Sequence, residues 1–73
     1  MTAKRVDARG LSCPQPVILT DRAIAEGHTD LEILVDNEVA RENVSRLLSR
    51  RGLKADIRQD GSDIIIHATN YTV

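Results

Sequence analysis

Phenylalanine and tryptophan are absent from this 73-residue sequence, and tyrosine occurs only once. The hydrophobic core must therefore be built from Ile, Leu, Val and Ala. A chain of this length buries only about 60% of the surface that its unfolded form exposes, so a deep pocket for an organic cofactor is not expected. The scarcity of aromatic rings also argues against the base stacking that many nucleic-acid-binding proteins use. Ten basic against eleven acidic residues also lack the basic excess of such proteins, so we expect no direct nucleic-acid binding.

Cysteine occurs once, as Cys13. This count excludes an intramolecular disulfide, a Cys-x-x-Cys redox pair and a Cys-rich zinc site, and it favours a reducing, cytoplasmic setting. Residues 1–5 lead into no apolar signal core, and the sequence has no run of about 18 apolar residues that could span a membrane. No linker, repeat or low-complexity tract interrupts it. We therefore expect a cytoplasmic protein without a membrane segment, folded as a single domain over residues 1–73.

Hydrophobic periodicity divides the chain into six elements. Alternating apolar and polar residues predict strands, and apolar residues recurring every three or four positions predict helices. Asp60-Gly61 is a strong hairpin signal, because glycine accepts a positive φ. The predicted elements are strands at residues 4–7, 31–35, 54–59 and 63–67 and helices at residues 14–25 and 38–51, with the last strand ending at residue 67 or slightly beyond.

The predicted order is βαβαββ. Right-handed crossovers would place both helices on one face of a four-stranded mixed sheet, which makes a two-layer α+β sandwich within the broad α/β class. The buried face of the second helix is predicted from its spacing to contain Ala40, Val44, Leu47 and Leu48. On the open face of the sheet, Leu34 and Ile65 are predicted to form a small exposed apolar patch.

Pro14 and Pro16 follow Cys13 closely and indicate where the first helix begins, because proline is tolerated only in the first turn of a helix. Cys13 then lies at or beside the N-cap, where free N–H groups and the helix dipole favour a thiolate, the nucleophilic form. The two prolines also leave the amides of Gln15 and Val17 as donors to a sulfur anion. A buried structural cysteine is the alternative, but the polar surroundings of Cys13 argue against it.

Other residues near Cys13 are candidates for supporting roles. Arg9 either lowers the thiol pKa and meets an acidic partner or is a solvated surface cation. Asp7 is expected to organise the loop by accepting backbone N–H groups. Gly10 is expected to adopt a backbone angle that other residues resist. Gln15 either donates to the sulfur or is simply exposed.

The remaining polar residues give weaker signals. His28 and His67 have no ligand-like spacing to Cys13 or to each other, so we expect no metal site, although a Cys–His pair would form if either ring reached the helix entrance. A basic stretch alternates with Glu38 and Glu42 and is interpreted as a salt-bridged helix surface, with docking of an acidic partner as the alternative. Its basic residues are Arg41, Arg46, Arg50, Arg51 and Lys54.

Residues 7–17 resemble the TusA/SirA family of small sulfur-carrier proteins, whose signature is Gly-Leu-x-Cys-Pro-x-Pro after a short strand. The matching residues are Gly10-Leu11-Ser12-Cys13-Pro14-Gln15-Pro16. Residues 35–44 are similar to the YedF-like branch, which is linked to selenium metabolism. Many YedF-like chains also carry a DsrE-like domain after this one. It is not present up to Val73, so we expect this domain to act alone or with a separate protein that supplies that part.

The resemblance implies that Cys13 carries a persulfide: it accepts sulfur from a cysteine desulfurase or rhodanese and passes it to an acceptor protein. In TusA itself this relay feeds tRNA thiolation; cofactor synthesis or general sulfur trafficking are other destinations. The absence of a second cysteine and of a placed His-Asp pair favours such a carrier over a redox sensor or a hydrolytic nucleophile. The alternatives are a non-catalytic regulatory or partner-binding module and a selenium-handling protein.

Overall fold

The predicted order βαβαββ is confirmed in a computed structural model, which describes residues 4–11 and 15–70, the last of these by its backbone only. Residues 12–14, and with them Cys13 and Pro14, lie outside the described part of the chain. The six elements are β1 (Lys4–Asp7), α1 (Gln15–Ala25), β2 (Asp30–Val35), α2 (Glu38–Arg50), β3 (Leu53–Asp60) and β4 (Asp63–Asn70).

The four strands form one mixed sheet in the order β1-β2-β4-β3. β1 is parallel to β2, whereas β4 is antiparallel to both β2 and β3. The helices contact each other, α1 contacts β1, and α2 contacts β3 and β4. Neither α1, with 11 residues, nor α2, with 13, is long and apolar enough to cross a membrane.

One hydrophobic core lies between the sheet and the two helices. The alternation in β2 points Leu31, Ile33 and Val35 into it, and none of these three side chains is exposed. The prediction for α2 is confirmed, since all four residues of its predicted apolar face are buried: Ala40, Val44, Leu47 and Leu48. Both helices therefore cover the same face of the sheet, and the other face is open.

The element ends differ from the prediction mainly in the last hairpin. β4 was predicted to end at residue 67 or slightly beyond, and it continues to Asn70 because it pairs with β2 as far as Thr69 and with β3 as far as Asn70. Ladder hydrogen bonds on both sides extend this strand where the residues Ala68 and Thr69 give little hydrophobic alternation. The two strands of this hairpin, β3 and β4, are joined by a turn of two residues, Gly61 and Ser62, and Gly61 has a φ of +62°.

The prediction of an exposed patch at Leu34 is wrong. The register does place Leu34 on the open face, opposite Asp7 of β1 and Ile65 of β4. Its exposed fraction is nevertheless only 6%, and Ile65 is half-buried. Because β2 is an inner strand, side chains from both neighbouring strands flank Leu34, which a residue-by-residue pattern does not reveal.

Candidate functional site

The candidate site is built around the loop between β1 and α1, of which residues 8–11 are described. The Ala8 N–H donates to the Leu34 carbonyl at 2.9 Å, so the chain stays beside β2 for one residue after β1 ends. Since β1 and β2 are parallel, their carboxyl ends lie at the same end of the sheet. The loop therefore leaves the sheet next to the Asp36-Asn37 segment, where α2 begins.

Arg9 is held by two carboxylates. Its Nε and Nη2 donate to Asp7 Oδ1 and Oδ2, both at 2.9 Å, which is the bidentate geometry typical of an arginine–carboxylate pair. Its Nη1 donates to Asp63 Oδ2 at 3.0 Å. Asp7 Oδ1 also accepts the backbone N–H of Arg9 at 3.2 Å. The guanidinium is thus directed to the carboxylates of β1 and β4, and its effect on the Cys13 thiol stays a prediction.

This cluster has the only large pKa shifts among the described residues. Hydrogen bonds from the Arg9 side chain and backbone lower the pKa of Asp7 from 3.8 to about 2. The side-chain hydrogen bonds to Asp7 and Asp63 raise the pKa of Arg9. Asp7 and Arg9 are therefore both charged at neutral pH. Because the cluster is exposed to water, its main effect is to direct the loop, and its contribution to stability is small.

Gly10 connects the loop to the start of α2. Its N–H donates to Asp36 Oδ2 at 2.8 Å, and the Asn37 Nδ2 donates to Asp36 Oδ1 at 3.1 Å. Asn37 in turn caps α2, since its Oδ1 accepts the Ala40 N–H at 2.8 Å. Gly10 has a φ of +75°, a conformation that favours glycine, although a Cβ there would meet no atom within 4 Å. Glycine is therefore favoured at this position because of its backbone conformation, and not because a larger side chain would clash.

Two members of this site, Asp36 and Asp63, were not among the residues predicted from the sequence, and Asp36 is the one for which a signal exists. Its position after a strand and before a helix suggests only a capping residue. The signal that could have identified it is topological: if β1 and β2 are parallel neighbours, a carboxylate directly after β2 lies beside the loop that follows β1.

The start of α1 is fixed from inside the core. Pro16 is fully buried, and its carbonyl accepts a 2.8 Å hydrogen bond from the buried Thr20 hydroxyl. Gln15, the first helical residue described, is exposed. Ser12, Cys13 and Pro14 lie outside the described residues, so their predicted roles are not tested by the structure. In sequence, Cys13 is two residues from Leu11 and two from Gln15, both of which the structure describes.

Exposed apolar side chains occur in this loop and in both helices. Among the described residues, Leu11 is 37% exposed, Ile18 in the second turn of α1 is 44% exposed, and Val39 in the first turn of α2 is 64% exposed. Single exposed apolar residues are common in soluble proteins. Leu11 belongs to the loop, and Val39 follows by three residues the Asp36 that binds Gly10; these two residues form what we call the apolar rim. Ile18 instead lines a cavity with Leu47 and Arg50 near the end of α2.

The histidines lie at the opposite end of β2 from this loop. His67 Nε2 is 2.8 Å from Asp30 Oδ1, and His28 Nε2 is 3.8 Å from Glu26 Oε1. Asp30 begins β2, whereas Asp36 follows its end, and six strand residues span roughly 20 Å. Within residues 4–11 and 15–70, no group of three or more His, Cys, Asp or Glu side chains is arranged to hold a metal ion.

The basic stretch is largely a salt-bridged helix surface, as interpreted from the sequence. Three of its arginines form ion pairs: Arg41 with Glu38, Arg46 with Glu42, and Arg51 with Asp21. Arg50 and Lys54 have no ion-pair partner in the described part of the chain. Only these two cations are therefore available to an acidic partner from this stretch.

Comparison with known proteins places these features in a family context. The model of the family Sulfurtransferase TusA matches residues 4–69. The fold is similar to the crystal structure of a SirA-like protein from Desulfitobacterium hafniense, with a TM-score of 0.79 and 30% sequence identity. That match covers 90% of this chain and 96% of the other. No curated protein sequence matches the chain significantly.

Proposed function

The chain belongs to the TusA family of sulfurtransferases, whose members act as sulfur carriers, and from this premise we propose that Cys13 accepts sulfur as a persulfide and relays it to an acceptor protein. The donor would be a protein that itself holds a persulfide, such as a cysteine desulfurase or a rhodanese. The proposal includes a cytoplasmic location and a single carrier domain over residues 1–73.

The reaction is thiol–persulfide exchange. The Cys13 thiolate attacks the outer sulfur of the donor persulfide, a new S–S bond forms on Cys13, and the donor S–S bond breaks with its electron pair leaving on the donor thiolate. The proton released by the Cys13 thiol is available to that leaving thiolate. In the second step an acceptor nucleophile attacks the outer sulfur, and Cys13 leaves as the thiolate. The exchange between thiol partners needs no metal and no external oxidant.

The observation that carries the proposal is the anchoring of the chain on both sides of Cys13. Gly10 is bound to Asp36 on one side, and Pro16 is buried at the start of α1 on the other. A helix N-terminus favours an anion, and both the thiolate and the persulfide are anions at neutral pH. We assign Gln15 and the amides of the first turn to binding this anion, and Pro14 and Pro16 to keeping the helix entrance rigid.

The remaining residues of the proposed site shape the loop. Asp7 holds the backbone and side chain of Arg9, and Gly10 supplies the positive φ that turns the chain. Because Arg9 is shared with Asp7 and Asp63, its proposed role is to direct the loop. The apolar rim around the loop supplies the contact area that a protein donor needs.

The direct test is an intact-mass measurement after incubation with a cysteine desulfurase and cysteine. We expect a gain of one sulfur atom that reductant removes. The variant Cys13→Ser is the matched control, since Cys13 is the only cysteine and the variant should gain nothing. A chain that gains no sulfur from either a desulfurase or a rhodanese would contradict the carrier role and favour a non-catalytic binding module. A selenium source in place of cysteine distinguishes a selenium-handling protein.

A further inference from the structure

Strand β3 is an outer strand of the sheet, because β4 is its only neighbour among the residues that the structure describes. Asp60 and Asp63 flank the two-residue turn Gly61-Ser62, and the residues that flank such a turn hydrogen-bond to each other. The backbone groups of Asp60 therefore face β4, and the direction alternates along the strand. The residues of β3 whose N–H and C=O groups face outwards are consequently Leu53, Ala55, Ile57 and Gln59.

The same direction follows from the other side of the sheet. The Leu34 carbonyl accepts the Ala8 N–H and so faces β1, which leaves the backbone groups of Val35 and Ile33 facing β4. Ile33 pairs with Ile66 of β4, so the backbone groups of Ile66 face β2. Ile66 in turn pairs with Ile57 of β3, so the backbone groups of Ile57 face away from β4. The outer side of β3 therefore presents a regular row of donors and acceptors to which another strand can bind.

The side chains of β3 alternate between the two faces of the sheet. On the face that carries the helices, Ile57 is 40% exposed although it pairs with the buried Ile66. On the open face the strand presents four charged side chains of alternating sign, in the order Lys54, Asp56, Arg58 and Asp60. None of these four forms an ion pair with any residue that the structure describes.

We propose that β3 pairs antiparallel with β3 of a second copy of this chain, with Ile57 opposite Ile57 on the two-fold axis. In this register Lys54 lies opposite Asp60, and Asp56 lies opposite Arg58. The two-fold axis repeats both pairs, so that four pairs of opposite charge line the open face. On the helix face the two partly exposed Ile57 side chains cover each other. The two sheets join into one sheet of eight strands.

The charge pattern selects this register from its neighbours. If one strand shifts by one residue relative to the other, residues whose backbone groups face outwards lie opposite residues whose backbone groups face β4. The hydrogen bonds between the two strands cannot then form, so this register is excluded. A shift by two residues in one direction places Asp56 opposite Asp56 and Lys54 opposite Arg58. The same shift in the other direction places Arg58 opposite Arg58 and Asp56 opposite Asp60. Both of these registers bring like charges together, which destabilises the pair.

The other outer strand does not offer the same surface. β1 has only four residues, and its Arg5 is already paired with Glu32 at 3.3 Å. The candidate site follows β1, at the opposite side of the sheet from β3. A dimer formed through β3 therefore leaves the two loops at the outer sides of the joined sheet, where each remains available to a partner.

Sedimentation equilibrium over a concentration series up to roughly 1 mM tests the proposal, because an interface this small is expected to bind in the micromolar range or more weakly. We expect the wild-type mass to rise from 8.1 kDa toward twice that value, and to rise less at high salt, where exposed charge pairs are screened. In a dimer of either variant, Asp56→Arg or Arg58→Asp, like charges lie opposite each other at two places. Each variant should therefore raise the dimer Kd roughly tenfold or more.

Two arrangements of the same variants should restore binding. An equal mixture of Asp56→Arg and Arg58→Asp forms opposite-charge pairs only across a heterodimer, and the double variant regains them in a homodimer. Circular dichroism and the Tm verify that each exposed-site variant is folded. A wild-type chain that stays monomeric at every concentration overturns the proposal and means that these charges protect the strand from pairing. Failure of both the mixture and the double variant to exceed the single variants overturns the register.

Discussion

Arg9 joins two carboxylates that are far apart in the sequence, Asp7 of β1 and Asp63 at the start of β4. Exposed ion pairs of this kind contribute little to stability, so the consequence of the contact is geometric. The loop after β1 is drawn toward the open face of the sheet while its backbone continues to α1. Any action of Arg9 on the Cys13 thiol would come from a guanidinium that two carboxylates already share.

The lowered pKa of Asp7 predicts a specific pH dependence. A carboxylate whose pKa is lower in the folded than in the unfolded chain stabilises the fold above its ordinary pKa of 3.8, and this contribution is lost as the pH falls toward about 2. The variant Asp7→Asn has no such contribution to lose. Its Tm should therefore lie below that of the wild type at neutral pH and approach it as the pH falls from about 4 to 2.

The measurement is thermal unfolding followed by circular dichroism over that pH range. Asp56→Asn is a suitable control, since Asp56 lies on the same open face but has no ion pair with a described residue. The control should follow the wild-type curve more closely than Asp7→Asn does. Parallel curves for Asp7→Asn and the wild type down to about pH 2 would contradict the proposed role of the Asp7–Arg9 pair.

The loop between β1 and α1 is an element without regular structure that is nevertheless held at several points. Ala8 is bound to β2, Gly10 is bound to Asp36, and Pro16 is buried in the core. The contact of Ala8 reaches Leu34 in β2, and the contact of Gly10 reaches the junction between β2 and α2. The loop and the start of α2 are therefore linked, and a substitution at Gly10 should affect the conformation of both.

Gly10→Ala should lower the free energy of unfolding by roughly 1 kcal/mol, because an L side chain is disfavoured at a φ of +75° even where space is available. Gly10→Asn should be milder, since asparagine tolerates this conformation better than alanine does. Urea unfolding of the three proteins measures the order. Equal stability of Gly10→Ala and the wild type would mean that the backbone angle at this position is not a constraint.

The order of the strands gives the whole molecule two distinct sides. The candidate loop lies at the end of β1 and β2, next to the start of α2 that contains Val39, whereas β3 lies at the other side of the sheet with Ile57 exposed. A carrier must meet its donor and its acceptor in turn, and only the first of these sides contains the proposed sulfur site. Two exposed apolar residues, Val39 and Ile57, therefore allow a matched comparison of the two sides.

Val39→Ser should raise the apparent KM for sulfur transfer from a desulfurase roughly fivefold, the effect of losing about 1 kcal/mol of apolar contact with the donor. Ile57→Ser should leave this KM unchanged, because Ile57 lies away from the loop. Both variants remove a partly or largely exposed side chain, so the fold should be retained. Equal effects of the two substitutions would show that the apolar rim is not part of the donor contact.

Patterns of neighbouring residues predicted much of the architecture correctly. The alternation of Leu31, Ile33 and Val35 and the spacing of Ala40, Val44 and Leu48 identified the core faces, since side-chain direction follows directly from strand and helix periodicity. The residues around Cys13 pointed to a family that the family model and the structural comparison bear out. The roles of the individual site residues remain predictions.

The sequence by itself determined the order of the elements, the apolar faces and the family motif, because each of these depends on residues within a few positions of one another. Only the tertiary structure decided that Gly10 is bound by Asp36, that Arg9 reaches Asp63, and that Leu34 is buried on the open face. These contacts join residues 26 and 54 positions apart, or depend on strands that flank β2 on both sides. Such relations arise from the way the strands are ordered and packed, which local patterns do not encode.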